Sequence, residues 1–308
     1  MNKNLKAELP EKFARNALGL CGAAGERWLN DLPHIIEEIS ENWQIEAAKP
    51  FANLSYNFVV PCVCSNGGKA VLKIALPLNN PEIFNEAKLL QTADGNGAVK
   101  LLKFDESRRA ILLERLTPGA NLKENFRGDE SKAVEAAIKV LHGLPKNPPQ
   151  HLEFRRLEEW FDNFFVKANG TKFPCEFQNK AHGYYEELSS ATNQKILLHG
   201  DLHHENILLA TREEFLALDP KGIIGEIGYE IAVFLNNHLW WLASELNLQK
   251  KSDDAVRQFS EAFAVEPPDL NKWAFAQMVL SAWWTFEENG ENWQTDLALA
   301  TIWEANAD

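Results

Sequence analysis

The sequence predicts an α+β chain of two lobes, a small antiparallel-sheet lobe followed by a larger, mainly helical one. Length is the first reason: 308 residues, 45% of them hydrophobic, are enough for two cores and too many for one simple core. Periodicity is the second. Apolar runs broken by Gly- and Asn-rich turns dominate up to Leu116, and helical spacing dominates after it. Charge is the third: 14 Lys and Arg balance 14 Asp and Glu through Leu116, whereas 17 face 30 beyond it, so the whole net charge of −13 falls in the second part. The expected lobes are therefore residues 1–116 and 117–308, divided at the turn Thr117-Pro118-Gly119.

Composition removes several function classes. An acidic chain is a poor partner for nucleic acid or for an anionic membrane surface. No apolar run approaches the roughly 18 residues of a membrane span, and the start Met1-Asn2-Lys3-Asn4-Leu5-Lys6 lacks the apolar core of a secretory signal. A cytoplasmic protein is expected. The cysteines, Cys21, Cys62, Cys64 and Cys175, fit neither metal nor redox spacing and are expected as reduced core residues.

In order along the chain, residues 1–44 read as helical, with Asn30 or Asp31 placed to cap a helix that has Pro33 in its first turn. A polar turn over 50–57 enters a strand at 58–64, and Ser65-Asn66-Gly67-Gly68 makes a hairpin into a strand at 70–74. Lys73 lies inside that apolar strand, where its charge is costly unless an anion meets it. Nucleotide phosphates and a helix carboxylate are the natural partners. Asn80 and Pro81 are placed to start a helix over 82–90 that carries Glu86, and strands follow at 99–104 and 110–116. After the boundary, helices are expected at 131–142, 152–167, 177–192, 229–246, 255–263, 271–287 and 295–303.

Chemistry concentrates in Ile196-Leu197-Leu198-His199-Gly200-Asp201-Leu202-His203-His204-Glu205-Asn206-Ile207-Leu208-Leu209, followed by Leu216-Ala217-Leu218-Asp219-Pro220-Lys221-Gly222. Apolar runs flanking polar residues place those residues on turns held by buried strands. Phosphoryl transfer to a hydroxyl needs a carboxylate to take the proton, an amide oxygen for Mg²⁺ and a second carboxylate joining Mg²⁺ to the phosphates. Asp201, Asn206 and Asp219 are those three groups. A Zn²⁺ site built from His199, His203, His204 and Asp201 is the rival, and it leaves Asn206 and Asp219 without a purpose.

With four residues between Asp201 and Asn206 and Asp219 after the second following strand, the chain resembles the aminoglycoside phosphotransferase-like kinases. Within them it is most similar to the streptomycin and hydroxyurea phosphotransferase branch. The resemblance runs over residues 28–235 and implies a bilobal protein-kinase-like fold, ATP and Mg²⁺ as cofactors, and a small-molecule hydroxyl acceptor in an antibiotic-resistance setting. It pairs Glu86 with Lys73. It makes Leu113-Glu114-Arg115-Leu116-Thr117-Pro118-Gly119 a hinge whose backbone, at Glu114 and Leu116, faces the adenine. It gives the cover of the phosphates to Ser55 and Asn57, since the first lobe has no G-x-G-x-x-G loop. Two residues depart from the pattern: Glu230 stands where aspartate is favoured, and Glu205 where glycine is usual.

Around these, His199 is expected to brace the loop. His203 and His204 are left open between bracing and meeting the acceptor, and Lys221 between reaching a phosphate and staying solvated. Most of the ten tryptophans are expected in the core, with one or two on the acceptor side. The acidic second lobe suggests a cationic, aminoglycoside-type acceptor. The alternatives are a metabolic kinase for an amino alcohol, a sugar or a homoserine-like acceptor, and a catalytically silent nucleotide-binding module.

Overall fold

A computed structural model describes residues 9–79, 82–191, 194–242, 247–288, 290–305 and 307. Its chain forms two compact units, Met1–Thr117 and Pro118–Asp308. The expected capping residues Asn80 and Pro81, and the start of the chain, lie outside the described residues.

In the first unit, α1 (Glu11–Trp43) is two helical pieces joined where Gly22 adopts φ 52° and ψ −131°. Its buried residues Trp28, Leu29, Leu32, Ile36 and Ile39 recur at three- and four-residue steps, the stripe that faces a core. The expected start at Asn30 or Asp31 is not observed; the helix runs through Pro33. One missing N–H costs less than interrupting an apolar stripe of which Leu32 and Ile36 are fully buried.

A left-handed Gln44 ends α1 and leads into β1 (Ile45–Ala47), a short strand the sequence reading did not anticipate. Then follow β2 (Asn57–Cys64), β3 (Lys69–Ala75), α2 (Ile83–Ala93), β4 (Leu101–Asp105) and β5 (Ala110–Glu114). The sheet order is β1-β2-β3-β5-β4 with every pair antiparallel. Phe13, Leu32, Ile36, Phe58, Val60, Leu72 and Ile74 form one core between α1 and this sheet, each contributing roughly 1.5–3 kcal/mol by burial.

The second unit opens with β6 (Pro118–Asn121), α3 (Leu122–Asn125), α4 (Glu130–Gly143), β7 (Arg155–Arg156), α5 (Leu157–Ala168) and α6 (Cys175–Ala191). The candidate site is carried by β8 (Ile196–Leu198), β9 (Ile207–Ala210), β10 (Phe215–Ala217) and β11 (Ile223–Gly225). These strands form two three-stranded sheets, β10-β9-β6 and β7-β11-β8. Then come α7 (Ile227–Leu242), α8 (Leu248–Phe263), α9 (Pro267–Glu287) and α10 (Trp293–Glu304).

Helix α9 is buried on several sides, by α6, α7, α8 and α10. Aromatic rings fill the gaps: Phe161 stacks on Tyr185 at 4.2 Å, and Trp283 packs against Phe164, Phe173 and Phe286. Gly228 lets α7 close on Trp273, whose ring occupies the space a Cβ would need. Trp283 is core, while Trp284 is half-buried against Trp160. The side chains of Trp240 and Trp241 lie outside the described residues.

Only Cys62 of the four cysteines is buried; Cys175, at the surface start of α6, is exposed, which corrects the expectation of core cysteines. No helix among the described residues is long and apolar enough to cross a membrane.

Asp296, in the first turn of α10, is buried, and its Oδ1 has no hydrogen-bond partner among the described residues. Desolvation raises its pKa from an ordinary 3.8 to about 7. Between those two values the folded chain holds a proton that the unfolded chain has released, so this group's contribution to stability is greatest at acid pH and is lost as pH rises toward 7. Asp296→Asn should therefore raise the melting temperature at pH 7–8 and leave it nearly unchanged near pH 4. Parallel melting profiles for the two proteins across that range would contradict the assignment.

Candidate active site

The site residues of the second unit lie on two loops tied together by backbone. Strand β8 pairs with β11 so that Leu198 faces Ile223, which brings the loop after β8 beside the loop before β11. His199 O accepts both Lys221 N at 2.8 Å and Gly222 N at 3.2 Å, and Asn206 O accepts Leu218 N at 2.9 Å. Asp219 adopts φ 61° between these anchors, a conformation disfavoured for a residue with a Cβ.

His199 is buried, and desolvation lowers its pKa to about 3, so the ring is neutral. Its Nδ1 accepts Asp201 N at 3.3 Å, which leaves the proton on Nε2 to donate to Leu218 O at 3.0 Å. One imidazole thus clamps both loops. Gly200 follows at φ 81°, and an added Cβ would lie 3.1 Å from Ile223 Cγ1 and 3.2 Å from Lys221 Cβ. The Gly200 amide donates to both carboxylate oxygens of Glu230, at 3.1 and 3.0 Å.

Glu230 lies on α7 and is itself buried. Desolvation raises its pKa to about 7, against the pull of the amides of Gly200, Leu202 and His199 and the charge of Lys146. Glutamate therefore reaches the loop backbone from the position where the resemblance favoured aspartate.

Asn206, with its backbone in the 3₁₀ turn His204–Asn206, donates its side-chain amide to Asp201 O at 2.9 Å. Its oxygen remains as the acceptor available to a cation. Asp201 keeps a carboxylate about one-third exposed, with His203 Nε2 4.0 Å from Oδ1 and Lys221 Nζ 3.9 Å from Oδ2. His203 is also neutral, with its pKa lowered to about 4 by desolvation, and its Nδ1 accepts Glu205 N at 3.2 Å.

His204 faces elsewhere. It bonds Glu130 Oε1 at 2.8 Å and stacks on Phe234 with centroids 4.0 Å apart, so it fastens the loop to α4 and α7. Among the described residues no group of three or more His, Cys, Asp or Glu is placed to hold a metal ion, and the histidine-rich Zn²⁺ rival has no site there. Glu205 is exposed and lies 3.7 Å from Lys123.

In the first unit, Lys73 Nζ donates to Glu86 Oε2 at 2.6 Å, and both side chains are buried. Lys73 sits opposite Val59 of β2 and Ile111 of β5. Ser55 and Asn57 flank the entry to β2; Ser55 O accepts Asn16 Nδ2 at 3.0 Å, and Asn57 pairs with Ala75. Glu114 closes β5, where its carboxylate takes Lys100 N at 2.8 Å, and Leu116 lies past the end of that strand.

Glu130 and Lys146 escaped the sequence reading. Each acts on the catalytic segment from far along the chain, Glu130 from 74 residues away, and such pairing leaves no local pattern. Lys146, half-buried in the structure, carries no mark in the sequence that separates it from a solvated lysine.

A lobe of five antiparallel strands with a buried Lys–Glu pair, followed by a mainly helical unit holding the Asp201, Asn206 and Asp219 segment, defines a protein-kinase-like fold of the small-molecule kinase class. Residues 42–290 match the family described as aminoglycoside/hydroxyurea antibiotic resistance kinase, and the chain belongs to that family, an enzyme that phosphorylates an alcohol group. It is 26% identical over 297 residues to a streptomycin 6-kinase of Streptomyces glaucescens, covering 94% of each chain. It is 30% identical over 236 residues to a hydroxyurea phosphotransferase of Kitasatospora aureofaciens, covering 75% of this chain and 68% of that one. In fold it is similar to the choline kinase of Streptococcus pneumoniae, a protein also solved with AMP, at a TM-score of 0.62, 14% identity and coverage of 89% and 99%.

The Lys73–Glu86 pair generates a stability prediction. Removing one partner leaves a buried charge, so Lys73→Met or Glu86→Leu alone should each cost about 3–5 kcal/mol, and the double variant should cost less than the sum of the two. Denaturant unfolding of the four proteins checks this. Strict additivity would mean that the two side chains are not coupled.

Proposed function

We propose that the chain transfers the γ-phosphoryl group of ATP to a hydroxyl of a small cationic molecule of the aminoglycoside type, with Mg²⁺. The observation that carries this reading is the second-unit segment, where Asp201, Asn206 and Asp219 are set on two loops cross-linked by His199. Asp201 is the base. Its carboxylate is accessible yet backbone-anchored, and it takes the hydroxyl proton as the phosphoryl group arrives.

The amide oxygen of Asn206 and the carboxylate of Asp219 are hard oxygen donors that suit Mg²⁺. When bound, Mg²⁺ would offset phosphate charge. Lys73, steadied by Glu86, is the cation for the nucleotide phosphates, and Ser55 and Asn57 are the turn that covers them. Glu114 and Leu116 supply hinge backbone for the base of the nucleotide. AMP bound to the related fold supports an adenine nucleotide.

The relatives named for streptomycin support an aminoglycoside-type acceptor, and so does the charge. All of the net −13 lies in the residues after Leu116, and acidic walls concentrate cations. A silent module is disfavoured because Lys73, Asp201, Asn206 and Asp219 are all present.

The test is phosphorylation of streptomycin, hydroxyurea and choline followed by mass spectrometry, with variants. Streptomycin should gain one phosphate. Asp201→Asn should lower kcat by at least about 10²-fold with nucleotide affinity nearly unchanged, whereas Asp219→Ala should abolish the Mg²⁺ dependence of nucleotide binding. Turnover of Asp201→Asn at the wild-type rate would remove the base from this position.

A further inference from the structure

Lys221 is held as firmly as the base beside it. Its backbone N donates to His199 O at 2.8 Å, its Cβ packs where Gly200 leaves room, and Pro220 before it is buried. Its ammonium stands 3.9 Å from Asp201 Oδ2, longer than a direct hydrogen bond, and its side chain is 28% exposed. The opposite oxygen, Oδ1, faces His203 Nε2 at 4.0 Å. The Nδ1 of that ring is already an acceptor for Glu205 N, so its Nε2 carries a proton without a net charge. The base is thus flanked by a neutral N–H donor on one side and a full positive charge on the other.

Resting on the phosphotransferase reading, we infer that Lys221 is a further catalytic residue that contacts the oxygens of the transferred phosphoryl group. An acceptor hydroxyl bonded to Asp201 lies about 2.6–3.2 Å from its carboxylate. The phosphorus attacked by that hydroxyl therefore arrives within reach of an ammonium that adjoins the same carboxylate. As the acceptor oxygen forms its bond to phosphorus, the bond from phosphorus to the β–γ bridging oxygen breaks and its electron pair leaves with ADP. The hydroxyl proton passes to Asp201. Lys221 keeps its protons throughout and donates to a non-bridging oxygen, where charge is spread in the transition state.

Had Lys221 only anchored the loop, its aliphatic stem and backbone would suffice. Lys221→Met keeps both and removes the charge, and Lys221→Arg restores the charge with a different reach. Lys221→Met should lower kcat by about 10²–10³-fold while both KM values stay within about threefold and the melting temperature is unchanged, and Lys221→Arg should recover part of the loss.

A second readout needs no turnover. With Mg²⁺ and streptomycin present, aluminium fluoride should tighten ADP binding to the wild type in calorimetry. That tightening should vanish in Lys221→Met, whereas ADP alone binds equally to both. Wild-type kcat in Lys221→Met, or equal tightening in both proteins, would overturn the inference. The two failures read differently: no phosphorylated acceptor and no tightening in the wild type would overturn the phosphotransferase reading and this inference with it, whereas tightening in the wild type that persists in Lys221→Met would overturn the role of Lys221 alone.

Discussion

The second unit depends on one buried carboxylate. Glu230 accepts the Gly200 amide with both oxygens from α7, at the point where the chain leaves β8 and must turn. Gly200 can turn there because φ 81° is open to it, but an amide buried in that turn needs an acceptor. Hydrogen bonds to a charged acceptor are worth about 1.5–3 kcal/mol, and Gly200, Leu202 and His199 direct theirs to the same group. Without Glu230, the turn at Gly200 would lose its side-chain acceptor, and the loop that carries Asp201 and Asn206 would rest on the His199 clamp, three backbone bonds to the neighbouring loop and the His204 contacts.

Beside the Glu230 carboxylate, two neutral imidazoles brace the loop, and the remaining charges lie toward the reacting face. His199 and His203 are both discharged by burial, so each serves as a fixed donor–acceptor pair and adds no repulsion beside a future cation. Asp201, Asp219 and Lys221 remain partly accessible. Exposure costs little stability, and it leaves these charges within reach of substrate groups. The first unit solves the same problem differently: Lys73 and Glu86 are both charged and both buried, a pairing that holds only as long as neither partner is lost.

Much of this was legible because the sequence carries its reasons locally. A lysine inside an apolar strand demands an anion, and the five-residue step from Asp201 to Asn206 describes a loop between two strands. The hairpin at Asn66-Gly67 was readable for similar reasons. What was not legible depends on contacts between distant segments. Pro33 looked like a helix start, but the core beneath α1 kept the helix intact, and Gly22 broke it instead. His204 looked like a candidate for the acceptor side until Glu130 and Phe234 claimed it. Glu230 stood out as a departure from a pattern; only the fold shows that the longer side chain meets the same backbone.

The most direct test of the account is therefore amide hydrogen exchange at Gly200, measured in the wild type and in Glu230→Ala. If one carboxylate organises the loop, Gly200 in the wild type is protected like a core amide. Its exchange should then accelerate by about tenfold or more in the variant, while the amides of α7 around Phe234 stay protected. Rapid exchange at Gly200 in the wild type, or an unchanged rate in Glu230→Ala, would contradict it.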